Sequence, residues 1–549
     1  MNHLNIFALG GLDENGKNCY ILEFNDEIYV INSGAKIPIN SSNGVDTLIA
    51  DFTYLEKNKH KIKGVFISDV KNDSFSALPW LAMKLSKIKI YSSPFNKIMI
   101  LERLSKYSID LENIEVISFN KEEKVGSLVV KPIIIAGSLP GSIGFDFITP
   151  DGDVLFLFNY VKGDLGIYGN TNYDEIKTNL NNRSVIAIVS DAGRSNHKGY
   201  AIEKIKLPKN LIEDFEKTNE NQRIIVGAYD EEMVSLHQIL DLAKAHNRPV
   251  IPYGKTYGQL LYLIKQVKPD LELPTILDYR SLNKYDNAVI LITGAVERLY
   301  NRFLRITDNK DVLLKLKSTD KIIMMAPPVN GLESLQAICL DEIARITPQI
   351  TDASDKDYFF HRPIQNDIID LVEKLNPKYI IPVQGLYRHL VDISNALLEN
   401  KNTKKVKSLI LQNGKVAHFI DGVLFSQNGK IKNVGDTIID GFDVGNISSE
   451  VINERELLGR DGLILVALHF NSRTKEISND MKIEFVGVIG KDEKVETTNF
   501  VKEIIAEVVE NEVFKGIKDL QERLRKVIRK KIFKLTDKEP LIAVSFTIL

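Results

Sequence analysis

The chain has 549 residues, of which 71 are basic and 73 acidic, and 44% are hydrophobic. That length exceeds what one hydrophobic core supports, so several domains are expected, and the near balance of charge means that any nucleic-acid contact must come from local patches. Only two cysteines occur, Cys19 and Cys339, without metal-ligand spacing. This excludes a disulfide framework or a cysteine zinc site and points to a reducing cytoplasm, and no export signal or membrane span is expected.

Over residues 1–207 short β-branched runs recur with polar turns between them, among them Ile6–Leu9, Cys19–Leu22, Ile28–Ile31, Gly64–Ile67, Ile88–Tyr91, Val129–Ile135, Val154–Phe158 and Val185–Val189. They read as strands, with helical periodicity mainly at 77–87 and 96–106. Over residues 208–363 the rhythm changes to strand followed by longer amphipathic helix. Arg223–Tyr229 precedes 231–245, Val250–Tyr253 precedes 256–267, Ala288–Thr293 precedes 296–306, and Lys321–Met325 precedes 332–346. That alternation predicts βαβ units and a parallel sheet, inserted as a separate domain. Residues 364–447, with the strand Lys378–Val383, are expected to return to the first domain. Residues 448–549 are expected to form a small α/β domain with strands at 462–469, 483–488 and 541–546 and one long helix over 500–533.

The stretch Gly64–Trp80 reads as a buried strand running into a polar loop and a helix. Its loop carries Asp69, Lys71, Asp73 and Ser74. Asp73 and Ser74 suit helix capping by residue type.

Four segments taken in order resemble ribonuclease J: Ala8–Asn18, Val45–Leu55, Leu375–Gly385 and the region after Ile447. The resemblance spans essentially the whole chain. It implies a metallo-β-lactamase αββα sandwich with an inserted parallel-sheet β-CASP domain and a C-terminal assembly domain. It also implies a nuclease that uses a zinc pair held by a histidine-rich HxHxDH motif.

Laid on that motif, Asp69 and Lys71 stand for the first two histidines, Asp73 is retained, and Ser74 stands for the third. Gly137 takes the next histidine position, Asn159 the bridging aspartate, Tyr358 and Arg362 the β-CASP histidines, and Gln384 the last histidine. Asn32 stands where the family has an early aspartate, and Ser190-Asp191 resembles its retained Ser-Asp element. Zinc prefers imidazole, thiolate and carboxylate ligands, and an ammonium at a metal position repels a dication. No intact catalytic set and no metal are therefore expected, and Lys71 is expected to fill the cleft, paired with Asp69, Asp73 or Asp191.

Phosphate binding needs cations and backbone amides rather than zinc. Lys71, Arg194, Lys198, Arg362 and Arg388 are the RNA-binding candidates. The leading expectation is an inactive ribonuclease J-like partner of an active ribonuclease J subunit, or of itself through the C-terminal domain, acting on RNA. The alternatives are a weak nuclease with one Mg²⁺ or Mn²⁺ on Asp73, Asp69 and Asp191, and a scaffold without RNA contact.

Overall fold

In the computed structural model of the chain the described residues are 1–37, 47–85, 87–107, 109, 111–201, 209–329, 331–352, 362–440, 443–444, 449–471, 474, 477–478, 480–490, 492–511 and 516–548. They form two units, one ending at Thr437 and the other beginning at Ile438.

The first unit is built on two large sheets. An eight-stranded sheet has the order Val423–Lys430, Lys415–Ile420, His3–Gly10, Cys19–Phe24, Glu27–Ile31, Ile62–Phe66, Ile88–Ser92 and Ile114–Ser118. A seven-stranded sheet has the order Lys407–Ser408, Tyr379–Val383, Val185–Asp191, Gly152–Leu157, Ile143–Thr149, Leu128–Ile134 and Glu123–Val125. The inward faces of both meet in one aromatic-rich core that includes Tyr29, Phe66, Phe145, Phe147 and Phe156. Phe66 stacks on Tyr91 at 4.9 Å and meets Phe147 edge-on at 5.1 Å, the offset and T-shaped geometries that aromatic quadrupoles favour. The outer face of the second sheet packs on the helices Tyr173–Asn179, Gln365–Leu375 and Tyr387–Glu399, whose apolar stripes bury Ile176, Leu371 and Leu390. The helices Leu78–Lys84 and Pro94–Lys106 belong to the first sheet's half.

A third sheet of five parallel strands has the order Val250–Pro252, Val289–Gly294, Ile224–Tyr229, Lys321–Met324 and Ile350–Asp352. In chain order it falls between Val185–Asp191 and Tyr379–Val383, which are themselves parallel neighbours. The chain thus leaves the seven-stranded sheet, builds a separate parallel sheet with its own core around Ile290, Phe303 and Ile322, and returns beside its point of departure. Its central strands Ile224–Tyr229 and Val289–Gly294 are nearly continuous buried apolar runs, as strands covered on both faces must be.

The second unit contains a three-stranded sheet, Lys482–Val486, Leu463–Phe470 and Leu541–Ile548, and the helices Ser449–Asp461, Lys494–Asn511 and Ile517–Thr536. Two helices replace the single one expected over 500–533. The last buries Leu520, Leu524, Ile528 and Ile532 at helical spacing and leaves its basic residues outside that stripe. Among the described residues no helix is long and apolar enough to cross a membrane.

Candidate active-site cleft

Ligand crevices in sheets with parallel strands form beyond the carboxyl ends of those strands. Gly152–Leu157, Val185–Asp191 and Tyr379–Val383 run parallel side by side, so Asn159, Asp191 and Gln384 emerge together. Asn159 and Gln384 turn out of their strands with φ of 48° and 60°, and Asn32 after Glu27–Ile31 has φ 64°. Asparagine tolerates the left-handed region better than most side chains, which helps the two strands that end at Asn32 and Asn159 break sharply.

These residues form a continuous hydrogen-bonded chain. Asn32 Nδ2 donates to Ser68 Oγ at 3.0 Å, and Ser68 Oγ donates to Asp69 Oδ2 at 2.8 Å. Asn159 Nδ2 reaches Asp69 Oδ2 at 3.2 Å and Ser74 Oγ at 3.3 Å, while Asn159 N donates to Asp191 Oδ2 at 3.2 Å. Arg362 then grips the fully buried Asp191 in a bidentate pair, Nε to Oδ2 at 2.8 Å and Nη2 to Oδ1 at 2.7 Å, and gives a further bond to Gln384 O at 2.8 Å. Gly193 N adds a fourth donor to Asp191 at 2.8 Å. A Cβ at Gly137 would crowd Ser142 Oγ and the Asn159 carbonyl, so a larger side chain does not fit there as packed.

Lys71 departs from its expected pairing. Its backbone N–H donates to Asp69 Oδ1 at 3.0 Å, whereas its ammonium reaches across to the five-stranded-sheet domain and meets Glu232 Oε1 at 3.5 Å. Asn72 N next to it donates to Glu231 Oε1 at 2.6 Å. The four-residue helix Asn72–Phe75 thus receives two carboxylates at its start, where helix N–H groups lack intrahelical partners. Burial alone would lower the Lys71 pKa, but the charges of Glu232, Glu231, Asp73 and Asp69 outweigh it and hold the ammonium above its ordinary value. Burial, with Asp73 adding, raises the Asp69 carboxyl against the bonds from Lys71 N and Asn159. Burial, with Asp230 adding, raises Glu231 well above the carboxylate range.

The capping role read for Asp73 and Ser74 is not what the structure holds. Lys71 is the N-cap residue and no side chain caps this helix. Asp73 and Ser74 lie inside the first turn, and Ser74 Oγ is instead tied to Asn159 and to Asp73 Oδ1. The Asp73 backbone carbonyl accepts from Asn18 N at 3.1 Å, and a Cβ on Gly34 would overlap that carbonyl oxygen, which is the reason for glycine at 34.

Asp69, Ser74, Gly137, Asn159, Arg362 and Gln384 are therefore brought together, with Lys71 and Asp73 at the edge. Tyr358 lies outside the described residues. The donor set does not fit a zinc pair. Amide, hydroxyl, guanidinium and ammonium groups stand at the resemblance's ligand positions, and the Asp69 and Asp191 carboxylates accept three and four donors respectively. Among the described residues no three His, Cys, Asp or Glu side chains are grouped to hold a metal ion.

Of the RNA-binding candidates, Lys198 and Arg388 are exposed, and Arg194 is half-buried with Nη1 3.4 Å from His197 Nε2. Lys71 and Arg362 already face carboxylates. Sequence reasoning missed Glu231 and Glu232, although three consecutive acids, Asp230–Glu232, directly after the parallel strand Ile224–Tyr229 were a signal for them.

Residues 361–408 match the Zn-dependent metallo-hydrolase RNA specificity domain, and residues 450–547 match the ribonuclease J C-terminal domain. The chain is ribonuclease J-like. It is 24% identical over 560 residues to Ribonuclease J2 of Bacillus subtilis, covering 98% of both chains, and 26% identical over 560 residues to an uncharacterized protein of Mycoplasma genitalium, covering 99% of both. A crystal structure of a protein of unknown function from Enterococcus faecalis superposes on 76% of this chain and 100% of its own, with a TM-score of 0.50 and 14% identity, and this likeness concerns the fold alone. The two facing sheets with flanking helices, together with the domain matches, make this ribonuclease J-like chain a metallo-β-lactamase fold.

Proposed function

We propose that this ribonuclease J-like protein takes part in cytoplasmic RNA processing or decay without cleaving RNA itself, as an RNA-binding or regulatory partner of an active ribonuclease J subunit or of a second copy. The relative from Bacillus subtilis carries the name Ribonuclease J2, and the matched RNA specificity domain points the same way. The observation that carries the reading is the bidentate Arg362–Asp191 pair, because it fills the middle of the would-be metal site with a fixed cation and, with the bonds from Asn159 N and Gly193 N, occupies the Asp191 carboxylate's lone pairs. The one-metal alternative is less well supported, since Asp69 and Asp191 would each have to shed several hydrogen bonds before ligating an ion.

RNA contact would then rest on exposed cations, with Lys198, Arg388 and the half-buried Arg194 as the contributors. The test is binding of single-stranded RNA by the full chain across a salt series. Binding should weaken linearly in log–log form, and the Lys198→Glu and Arg388→Glu variants should lower both the affinity and the slope. RNA binding unchanged by these variants would remove the proposed surface, and chelator-sensitive cleavage would remove the non-catalytic reading.

A further inference from the structure

Among the described residues, three polar attachments join the inserted domain, built on the five-stranded sheet, to the domain built on the two large sheets. In the first, Lys71 Nζ meets Glu232 Oε1 at 3.5 Å and Asn72 N donates to Glu231 Oε1 at 2.6 Å. In the second, Tyr168, at the end of the turn Gly166–Tyr168, donates its hydroxyl to Met233 O at 3.2 Å and lies 3.0 Å from His237 Nδ1. The hydroxyl proton goes to the carbonyl, so the same oxygen accepts from His237 Nδ1–H and both partners are satisfied. In the third, Lys106 Nζ donates to Gln259 Oε1 at 3.1 Å and ties the helix Pro94–Lys106 to the helix Lys255–Val267.

The first two attachments fall within residues 231–237 of the inserted domain, at the start of the helix Met233–Ala245. Their other ends are anchored in the cleft. Lys71 N donates to Asp69 Oδ1 at 3.0 Å, and Tyr168 O accepts from Gly137 N at 3.1 Å. Lys71 and Gly137 stand at two positions where the resemblance places metal-binding histidines. The residues found there instead hold the inserted domain, Lys71 through its ammonium and Gly137 through the backbone of Tyr168. Lys71, Tyr168 and Met233 are all buried. Releasing either attachment exposes a buried charge or a buried hydroxyl that has lost its partner, and both are costly. Domains of one chain otherwise move about a few hinge points. The third attachment, on a different pair of helices, opposes rotation about the line through the first two. Asn72, Lys106, Glu231 and Gln259 also line the cavity of about 770 Å³ between the domains, so that gap is bridged at two places.

We propose that these contacts form an autoinhibitory staple, in which Glu231, Glu232 and residues 233–237 hold the inserted domain against Lys71, Asn72 and Tyr168 and shut the cleft to an RNA strand. The acids take the places a phosphate would take, since Glu232 occupies the one ammonium and Glu231 the one backbone N–H that this edge of the cleft offers an anion. RNA is thereby confined to the outer cations Lys198 and Arg388. That confinement rests on the RNA-binding reading above, whereas the staple rests on the contacts alone.

Double electron–electron resonance on the full chain, with spin labels at Lys89→Cys and Lys310→Cys, reads the distance between the two domains. Both positions are exposed, and the native Cys19 and Cys339 are buried. The parent should give one narrow distribution that single-stranded oligouridylate leaves unchanged. The Glu231→Ala, Glu232→Ala, Tyr168→Phe variant should add a second, longer population of at least about a tenth of the molecules, and RNA should enlarge it. This variant should also bind the RNA at least about threefold more tightly than Glu272→Gln, Glu342→Gln, which removes the same number of charges from exposed sites of the inserted domain. Lys71→Met, similar in shape and uncharged, should broaden the distribution by itself, so the test does not depend on the triple variant folding. The proposal is overturned if RNA lengthens the parent's distance, if the variants keep the parent's distribution, or if RNA binds the triple variant and the charge-matched one alike. RNA binding by none of these chains would overturn the RNA-binding reading, and the distance distributions would still decide the staple.

Discussion

Replacing Arg362 by alanine strips the buried Asp191 carboxylate of its counter-ion. The change deletes two charge-assisted bonds to Asp191, at 2.8 and 2.7 Å, and one to the Gln384 carbonyl at 2.8 Å. Bonds to charged groups contribute about 1.5–3 kcal/mol each, and breaking a buried pair from one side costs about 3–5 kcal/mol. Asp191 keeps the N–H donors of Gly193 and Asn159, and Arg362 is 21% exposed, so a loss near the lower bound, about 3 kcal/mol, is expected. The readout is urea unfolding followed by tryptophan fluorescence, since the single tryptophan, Trp80, is buried in the first unit and reports on it alone. The Arg362→Leu, Asp191→Asn double variant, which removes both charges, should recover most of the loss and give a coupling of about 2 kcal/mol. An Arg362→Ala effect below about 0.5 kcal/mol, the range of ordinary surface substitutions, would mean that the pair contributes nothing to holding Asp191 in place.

Three further outcomes are expected. Burial, helped by Arg388 and Arg362, lowers the His389 pKa to about 4. The unfolded imidazole titrates near pH 6.5, so the unfolded state binds the extra proton between these values. Stability should thus be fully present above about pH 6.5 and fall by about 2–3 kcal/mol towards pH 4, and His389→Gln should flatten that window in urea titrations at successive pH values. Lys71→His restores one family ligand but leaves Ser74, Gly137, Asn159 and Gln384 unchanged, so equilibrium dialysis should detect no tight zinc, and a stoichiometric ion would contradict the donor-set argument. Gly34→Ala drives a Cβ into the Asp73 carbonyl and should cost about 3 kcal/mol or yield insoluble protein, whereas a wild-type midpoint would show that the loop relaxes freely.

Sequence rhythm located the strands well because their β-branched runs are buried and their alternation with amphipathic helices separates the five-stranded sheet from the two larger ones. Finer features depended on long-range pairing that no local pattern encodes. Arg362 read as a groove cation, yet its partner Asp191 lies 171 positions away. Lys71 was expected to pair with carboxylates of its own cleft, and Glu232, 161 positions away, takes it instead. The single helix expected over 500–533 is two, 494–511 and 517–536, and the second starts directly after Gly516, whose φ is 153°. Capping at Asp73 failed for a similar reason. Residue type favours the cap, but Ser74 is drawn to Asn159, 85 positions on.

In this chain a hydrogen-bond network through Ser68, Asp69, Asn159, Asp191 and Arg362 stands where the resemblance places a metal centre. Elemental analysis of the purified full chain after dialysis against zinc, paired with incubation of the same sample with 5′-phosphorylated RNA, tests it most directly. Less than about a tenth of an equivalent of bound zinc and RNA recovered intact are expected. Two zinc ions per chain together with chelator-sensitive cleavage would contradict it.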